Sequence, residues 1–298
     1  MKLLILGSKG FIGSAAARLL RLQYQHEVWE ADVVVDYANK NYFLIDASNA
    51  DFQSIFRTEQ FDMVVNCSGA AHVGDSLVNP LRDFVLNTFN VFKLLDAMRI
   101  FQPSCRLVNL SSAAVYGCPE LLPITENHQA APVSPYGIHK LQTESVLKEF
   151  STYFNIGTCS LRVFSAYGPG LKKQLFWDIY QKAKTFEVVE LFGTGKESRD
   201  FIYIDDLIQA INCVIYKSEF NGEVINIANG TEVTVDQAVN TFLSNFPGKK
   251  ETFFTSSSKA GDPLYWKADI SRISSMGYRR TVALEEGLNN YYHWICNL

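Results

Sequence analysis

The stretch SPYGIHK, residues 134–140, sets Tyr136 and Lys140 four positions apart directly after Pro135. On a helix, positions i and i+4 share one face, so an ammonium stands beneath a phenol and favours its ionised form. That makes Tyr136 a candidate proton acceptor near neutral pH. A plain Tyr–Lys pair on a surface helix is the alternative these residues alone leave open. A second group with chemistry in it is GSKGFIG, residues 7–13, which follows an apolar strand and precedes a helical pattern. Its glycines permit a tight turn, so a pyrophosphate can rest on the N–H groups of Gly7, Gly10, Phe11, Ile12 and Gly13 at a helix start. Asp32 ends the next strand, 19 residues beyond Gly13, close to the roughly 20 expected of an acid that accepts from ribose hydroxyls. A carboxylate there repels a 2′-phosphate, which favours NAD over NADP. Lys9 reads as a solvated loop side chain, with a contact to a 2′-phosphate as the alternative.

These residues need a frame, and the chain supplies one. Apolar runs of strand length (KLLILG, EVWEAD, YFLID, FDMVVNCSG, CRLVNLSS, IGTCSLRVF) alternate with helical patterns at Phe11–Leu22, Pro80–Ile100 and Tyr136–Phe154. Such alternation, with unalternating strands, implies a parallel sheet covered on both faces, an α/β doubly wound (Rossmann) domain. After Phe164 the pieces shorten, with helices near Asp205–Tyr216, Val233–Phe246 and Leu284–Ile295. The expected division is a dinucleotide domain of residues 1–165 plus about 204–228, and a smaller, mostly C-terminal α/β lobe of about 166–203 plus 229–298.

The 298 residues, 47% hydrophobic and 19% charged with net charge −4, suggest neither a nucleic-acid surface nor a disordered tail. No nucleic-acid or membrane partner is expected. Cys67, Cys105, Cys118, Cys159, Cys213 and Cys296 show no metal-type spacing and read as reduced thiols of a cytoplasmic protein. The histidines His26, His72, His128, His139 and His293 are dispersed, so no metal or triad is assigned. His139 points about 100° from Lys140 on a helix and reads as a packing or solvent residue.

GSKGFIG, Asp32, VVNCSGAAHVGDS, LNTFNVF, LSSAAVYG, SPYGIHK, LRVFSAYGPG, SRDFIYIDDL and AGDPLYWKAD occur in the order of one family. By them the chain resembles the extended short-chain dehydrogenase/reductase family, the NAD-dependent epimerases and dehydratases of nucleotide sugars. The resemblance implies that Ser112 joins Tyr136 and Lys140 in catalysis. It implies Asp46 and Ala47 beside the adenine, Ala70 behind the pyrophosphate, Asn87 fixing the loop and Phe164 near the nicotinamide. For the nucleotide-diphosphate sugar it implies Arg199 and Ser165 near the phosphates, Lys259 and Asp262 as further contacts, Phe192 flanking the base and Trp266 at the sugar pocket. Ser165 stands where the family more often has asparagine, and Lys259 where it usually has arginine. Relatives dimerise through the helices that begin at Pro80 and Tyr136, so a homodimer is expected.

A 4,6-dehydratase of this family needs an Asp–Glu pair after its catalytic hydroxyl residue, and Ala113 and Ala114 cannot transfer protons. A 3,5-epimerase/reductase places cysteine where Ala113 stands. What remains is oxidation or reduction at one carbon. The expected activity is a 4-epimerase acting through a keto-sugar, with an NAD(P)H-dependent 4-keto-6-deoxysugar reductase as the alternative. A non-catalytic dinucleotide sensor is the reading from another class; such proteins usually lose the tyrosine or lysine, and both stand here.

Overall fold

A strand buried at every position has no face for water and must be covered on both sides. Met63–Asn66 and Thr158–Val163 are strands of that kind. The computed structural model describes residues 1–46, 48–257 and 264–298. Its strands are β1 (Lys2–Leu6), β2 (Glu27–Asp32), β3 (Tyr42–Leu44), β4 (Met63–Asn66), β5 (Arg106–Ser112), β6 (Thr158–Val163), β7 (Ser165–Tyr167), β8 (Val188–Leu191), β9 (Ser198–Arg199), β10 (Phe201–Tyr203), β11 (Asn221–Ile227), β12 (Val233–Thr234) and β13 (Glu251–Phe254). Seven of them pair in parallel in the order β11-β6-β5-β4-β1-β2-β3. The chain runs outward from β1 to β3, then crosses back to place β4 on the other side of β1. Strand order therefore reverses between β1 and β4, and a doubly wound sheet opens its ligand crevice at the carboxyl ends of the strands there.

The helices are α1 (Phe11–Leu22), α2 (Phe52–Thr58), α3 (Val73–Val78), α4 (Pro80–Phe84), α5 (Asn90–Phe101), α6 (Pro135–Phe154), α7 (Gln174–Ala183), α8 (Ile204–Lys217), α9 (Val235–Leu243), α10 (Ser271–Ser275) and α11 (Leu284–Cys296). Period two along β1 sends Leu3 and Ile5 into one core and Leu4 and Leu6 into another on the opposite face. The first core continues through Phe176, Phe242 and Tyr291, so sheet and C-terminal segments share one apolar interior.

Two local departures from the sequence reading matter for the site. The helix expected over Pro80–Ile100 is interrupted by a π-helical turn at Val85–Phe89, which sets α4 and α5 out of regular register. Helical periodicity also gives no warning of α3, six residues capped by His72, whose Nδ1 accepts from the Asp75 N–H at 2.9 Å. No helix among the described residues is long and apolar enough to cross a membrane.

Candidate active site

The first turn of α6 carries the Tyr–Lys pair. Ser134 caps it, accepting from the Gly137 N–H at 3.2 Å, and Pro135 occupies the first helical position, where its missing N–H costs nothing. The Tyr136 N–H donates to Ser76 Oγ of α3 at 3.1 Å. Tyr136 and Lys140 are both buried, and the ammonium lies 5.8 Å from the phenol ring centroid. Lys140 Nζ donates to the Leu110 carbonyl of β5 at 2.9 Å. Ser112 ends the same strand; its Oγ accepts from the Ala114 N–H at 3.1 Å, and its hydroxyl hydrogen-bonds the Tyr136 phenol. Strand end and helix start thus bring Ser112, Tyr136 and Lys140 together.

The charge balance differs from the sequence expectation. Burial pushes the Tyr136 phenol up to about 12; the Ser112 hydrogen bond opposes this and the Asp83 carboxylate adds to it. Desolvation is the largest of these influences, so burial, which the spacing of Tyr136 and Lys140 does not reveal, works against the ionisation expected from the sequence. Burial also draws Lys140 down to about 8, against the opposing pull of Asp83, Cys67 and Glu144. His139, read as a packing or solvent residue, instead pairs through Nδ1 with Asp83 Oδ1 at 2.6 Å.

At the switch point the glycine loop presents a cradle. Gly7 lies at φ +74°, and a Cβ on Gly13 would stand 2.0 Å from the Gly7 carbonyl oxygen. We expect Gly13→Ala to displace the loop, lowering dinucleotide affinity at least tenfold and costing about 1–3 kcal/mol of stability; fluorescence titration and urea unfolding check both. Gly10, Phe11 and Ile12 continue the loop into α1. The Asp32 carboxylate ends β2 and accepts from the Lys9 N–H at 2.8 Å and the Val33 N–H at 2.7 Å. Lys9 is no solvated side chain: its ammonium pairs with Asp36 and, at 3.4 Å, with Glu30.

The opposite wall is the turn after β4, holding Ala70. Asn66 Nδ2 donates to Asn109 Oδ1 at 2.7 Å, and Asn66 Oδ1 receives the Ser68 N–H at 3.1 Å, which fixes this turn. Asn87, delivered by the π turn, lies against Gly69, and a Cβ there would stand 2.5 Å from Asn87 Oδ1. Ser8 Oγ and both side-chain atoms of Asn87 are buried with no partner among the described residues. Buried polar atoms at a glycine cradle are what a dinucleotide would satisfy, so the residues present fit the group. Asp46 is exposed and holds its own turn, accepting from the Ser48 N–H at 2.8 Å.

On the sugar side, Phe164, Ala113, Tyr116 and Ala268 form a small core with Trp266 packed on it; Phe164 and Trp266 meet edge to face at 5.6 Å. The Arg199 guanidinium lies 5.6 Å from the Trp266 ring centroid, and its Nη1 donates to the Ser198 carbonyl at 2.8 Å. Asp200 is buried and accepts from the Asn229 and Ala268 N–H groups. Ser165 follows Phe164. Phe192 is 57% exposed, so it is no core residue. Ala47, Lys259 and Asp262 lie outside the described residues.

Sequence reasoning missed the polar network under Ser112. Glu144 of α6 and Arg162 of β6 are both buried; Arg162 Nε and Nη2 donate to Glu144 at 3.0 and 2.7 Å, and Ser111 Oγ donates to Glu144 Oε1 at 2.6 Å. The available signal was an arginine inside an otherwise apolar strand, which must find an acid. Asn66 and Asn109, each near the end of an apolar run, gave a similar signal.

A doubly wound parallel sheet with a glycine cradle at its switch point and a Ser–Tyr–Lys group beside it defines a nicotinamide-dependent enzyme of the extended short-chain dehydrogenase/reductase kind. Residues 3–228 match the model of the NAD-dependent epimerase/dehydratase family, and the chain belongs to that family. It is 28% identical over 312 residues to a UDP-glucose 4-epimerase of Corynebacterium glutamicum, covering 93% of each chain. With the UDP-glucose 4-epimerase of Bacillus subtilis it shares 26% identity over 331 residues, 99% of this chain and 96% of that one. A UDP-glucuronic acid 4-epimerase from Bacillus cereus, solved in complex with UDP-glucuronic acid and NAD, superposes with a TM-score of 0.89 at 26% identity, covering 100% of this chain and 99% of the other.

Proposed function

We propose that this protein is an NAD-dependent nucleotide-sugar 4-epimerase that transiently oxidises a sugar hydroxyl to a ketone. The observation that carries this reading is the meeting of Ser112, Tyr136 and Lys140 beside the glycine cradle, in a chain similar along almost its whole length to UDP-glucose 4-epimerases. NAD, when bound, supplies the hydride acceptor and a positive charge that favours the phenolate. Tyr136 takes the hydroxyl proton and returns it after the keto-sugar has turned over. Ser112 holds the reacting oxygen, and Lys140 binds the nicotinamide ribose. Asn87, Ala70, Asp46, Ala47 and Phe164 complete the cofactor contacts. Arg199, with a fork of donors, takes the diphosphate; Ser165, Phe192, Lys259 and Asp262 contribute to nucleotide binding. Glu30, Asp32 and Asp36 surround Lys9 with carboxylates, which supports NAD over NADP.

A second reading is an NAD(P)H-dependent 4-keto-6-deoxysugar reductase, supported by the burial that pushes the Tyr136 phenol up, since reduction of a ketone needs a proton donor. Offering UDP-, GDP-, dTDP- and CDP-hexoses without added cofactor tests both. Isomerisation with no net nicotinamide change is expected. Inertness until a 4-keto sugar and NAD(P)H are supplied would select the reductase.

We further propose the division into a dinucleotide domain (1–165 plus about 204–228) and a sugar-nucleotide lobe, a cytoplasmic location consistent with six free thiols, and a homodimer. Support for the dimer comes from Leu81 and Phe84 of α4, Phe89 of the π turn, Phe92 of α5 and Ile138 of α6, all exposed. Sedimentation at micromolar concentration should give a dimer; a monomer alone would remove the assembly.

A further inference from the structure

We propose that the ion pair between Lys9 and Asp36 sets the coenzyme preference of this chain: Lys9 is the cation that would take a 2′-phosphate, and Asp36, with Glu30, holds it out of use. This rests on the reading of the glycine cradle as a dinucleotide site. Lys9 stands in that cradle between Ser8 and Gly10, and its N–H donates to Asp32 Oδ2 at 2.8 Å. Its backbone therefore touches the acid that receives the ribose hydroxyls in that reading. A side chain as long as lysine's can reach the 2′ position from there.

The ammonium is instead turned toward the segment between β2 and β3. Lys9 Nζ donates to Asp36 Oδ2 at 2.5 Å and to Glu30 Oε2 at 3.4 Å, and it lies 5.0 Å from the Tyr42 ring centroid. Asp36 is held ready for this contact, because its Oδ1 accepts from the Ala38 and Asn39 N–H groups at 3.1 and 3.2 Å and leaves Oδ2 for the lysine. Glu30 is buried in β2, and its Oε1 accepts from Arg21 Nη2 at 2.7 Å and Asn39 Nδ2 at 3.0 Å. Glu30 thus serves two cations, whereas Asp36 is the nearer anion to Lys9.

Two cations, Lys9 and Arg21, here face three carboxylates, Glu30, Asp32 and Asp36, so the cluster is negative by one charge. A 2′-phosphate entering it meets a lysine already paired. To bind that phosphate Lys9 must leave Asp36, and the abandoned carboxylate then stands near the incoming anion; both effects oppose NADP. A 2′-hydroxyl asks nothing of the pair, since it can donate to Asp32. The pair also ties the segment after β2 to the glycine loop, and a tie of that kind alone would serve both coenzymes equally.

Calorimetric titration of the full, nucleotide-free chain with NAD and with NADP gives the ratio of the two dissociation constants without any need of turnover. Asp36→Asn keeps an oxygen for the Ala38 and Asn39 N–H groups while turning an amide toward the ammonium, so the turn stays and the ion pair is lost. The ratio should move toward NADP by about tenfold or more, the scale of one charge-assisted hydrogen bond to phosphate. Combining Asp36→Asn with Lys9→Met should give back most of that gain, leaving a shift under about threefold from the removal of one screened surface charge. A gain that survives the loss of Lys9 means that Asp36 acts by repulsion alone, and equal weakening of both coenzymes means that the pair only ties two loops; either result overturns the proposal. A wild type that binds NADP as tightly as NAD overturns it too. If NAD binds and the preference stays unmoved in Asp36→Asn, this proposal alone falls, whereas binding of neither dinucleotide sinks the reading of the cradle and the proposal together.

Discussion

Tyr136→Phe is expected to lower turnover of the nucleotide sugar by about 10³–10⁴-fold, the upper part of the range for losing a positioned general base. Phenylalanine keeps the buried ring and its packing, so the helix start held by Ser76 and Ser134 should be unchanged. Only the hydroxyl is lost, and with it the hydrogen bond to Ser112, a stability cost of at most about 1.5 kcal/mol. Burial pushes the wild-type phenol up to about 12, so its removal takes no charge from the resting protein at neutral pH. NAD affinity should therefore stay within about threefold, since the variant loses a reacting proton rather than a charged contact. Single-turnover product analysis beside NAD titration measures both. Activity within tenfold of wild type would dismiss Tyr136 as the base.

Glu144→Ala should be the most destabilising single change considered, costing about 3–5 kcal/mol because it leaves the buried Arg162 cation without its acid. Arg162 would keep its contact with the Glu126 carbonyl at 3.2 Å and its place over the Tyr116 ring at 4.6 Å, neither of which neutralises it. Ser111 loses its acceptor in the same step. The double variant Glu144→Met with Arg162→Met should recover most of the loss, because apolar replacement removes both desolvation penalties. Urea unfolding of the wild type, Glu144→Met, Arg162→Met and the double variant measures the coupling directly. A single-variant loss under about 1 kcal/mol would mean that solvent reaches the pair.

Much of the frame was legible because the parallel strands are short buried runs and α1, α6, α8 and α11 are long enough to show their period. GSKGFIG, Asp32, Ser112, Tyr136 and Lys140 could be read because each depends on local spacing at the end of one element. Other parts of the site depend on what the fold brings together. Nothing near Asp83 in sequence announces His139, 56 residues away, and the sign of the Tyr136 shift depends first on burial. Spacing predicts that a phenol and an ammonium are neighbours; it does not show how dry their surroundings are. Arg162 and Glu144 were hidden for a related reason, since each is an unremarkable charged residue until the sheet closes over it.

The π turn at Val85–Phe89 has a consequence for how this chain tolerates change in length. An α-helix rotates about 100° per residue, so Asn87 on the cleft side and Leu94 and Leu95 in the core lie in two helical frames offset by the wider turn. Excising one residue between them would knit the frames together and turn one set away from its post. The segment can serve coenzyme and interior at once only while that surplus residue stays.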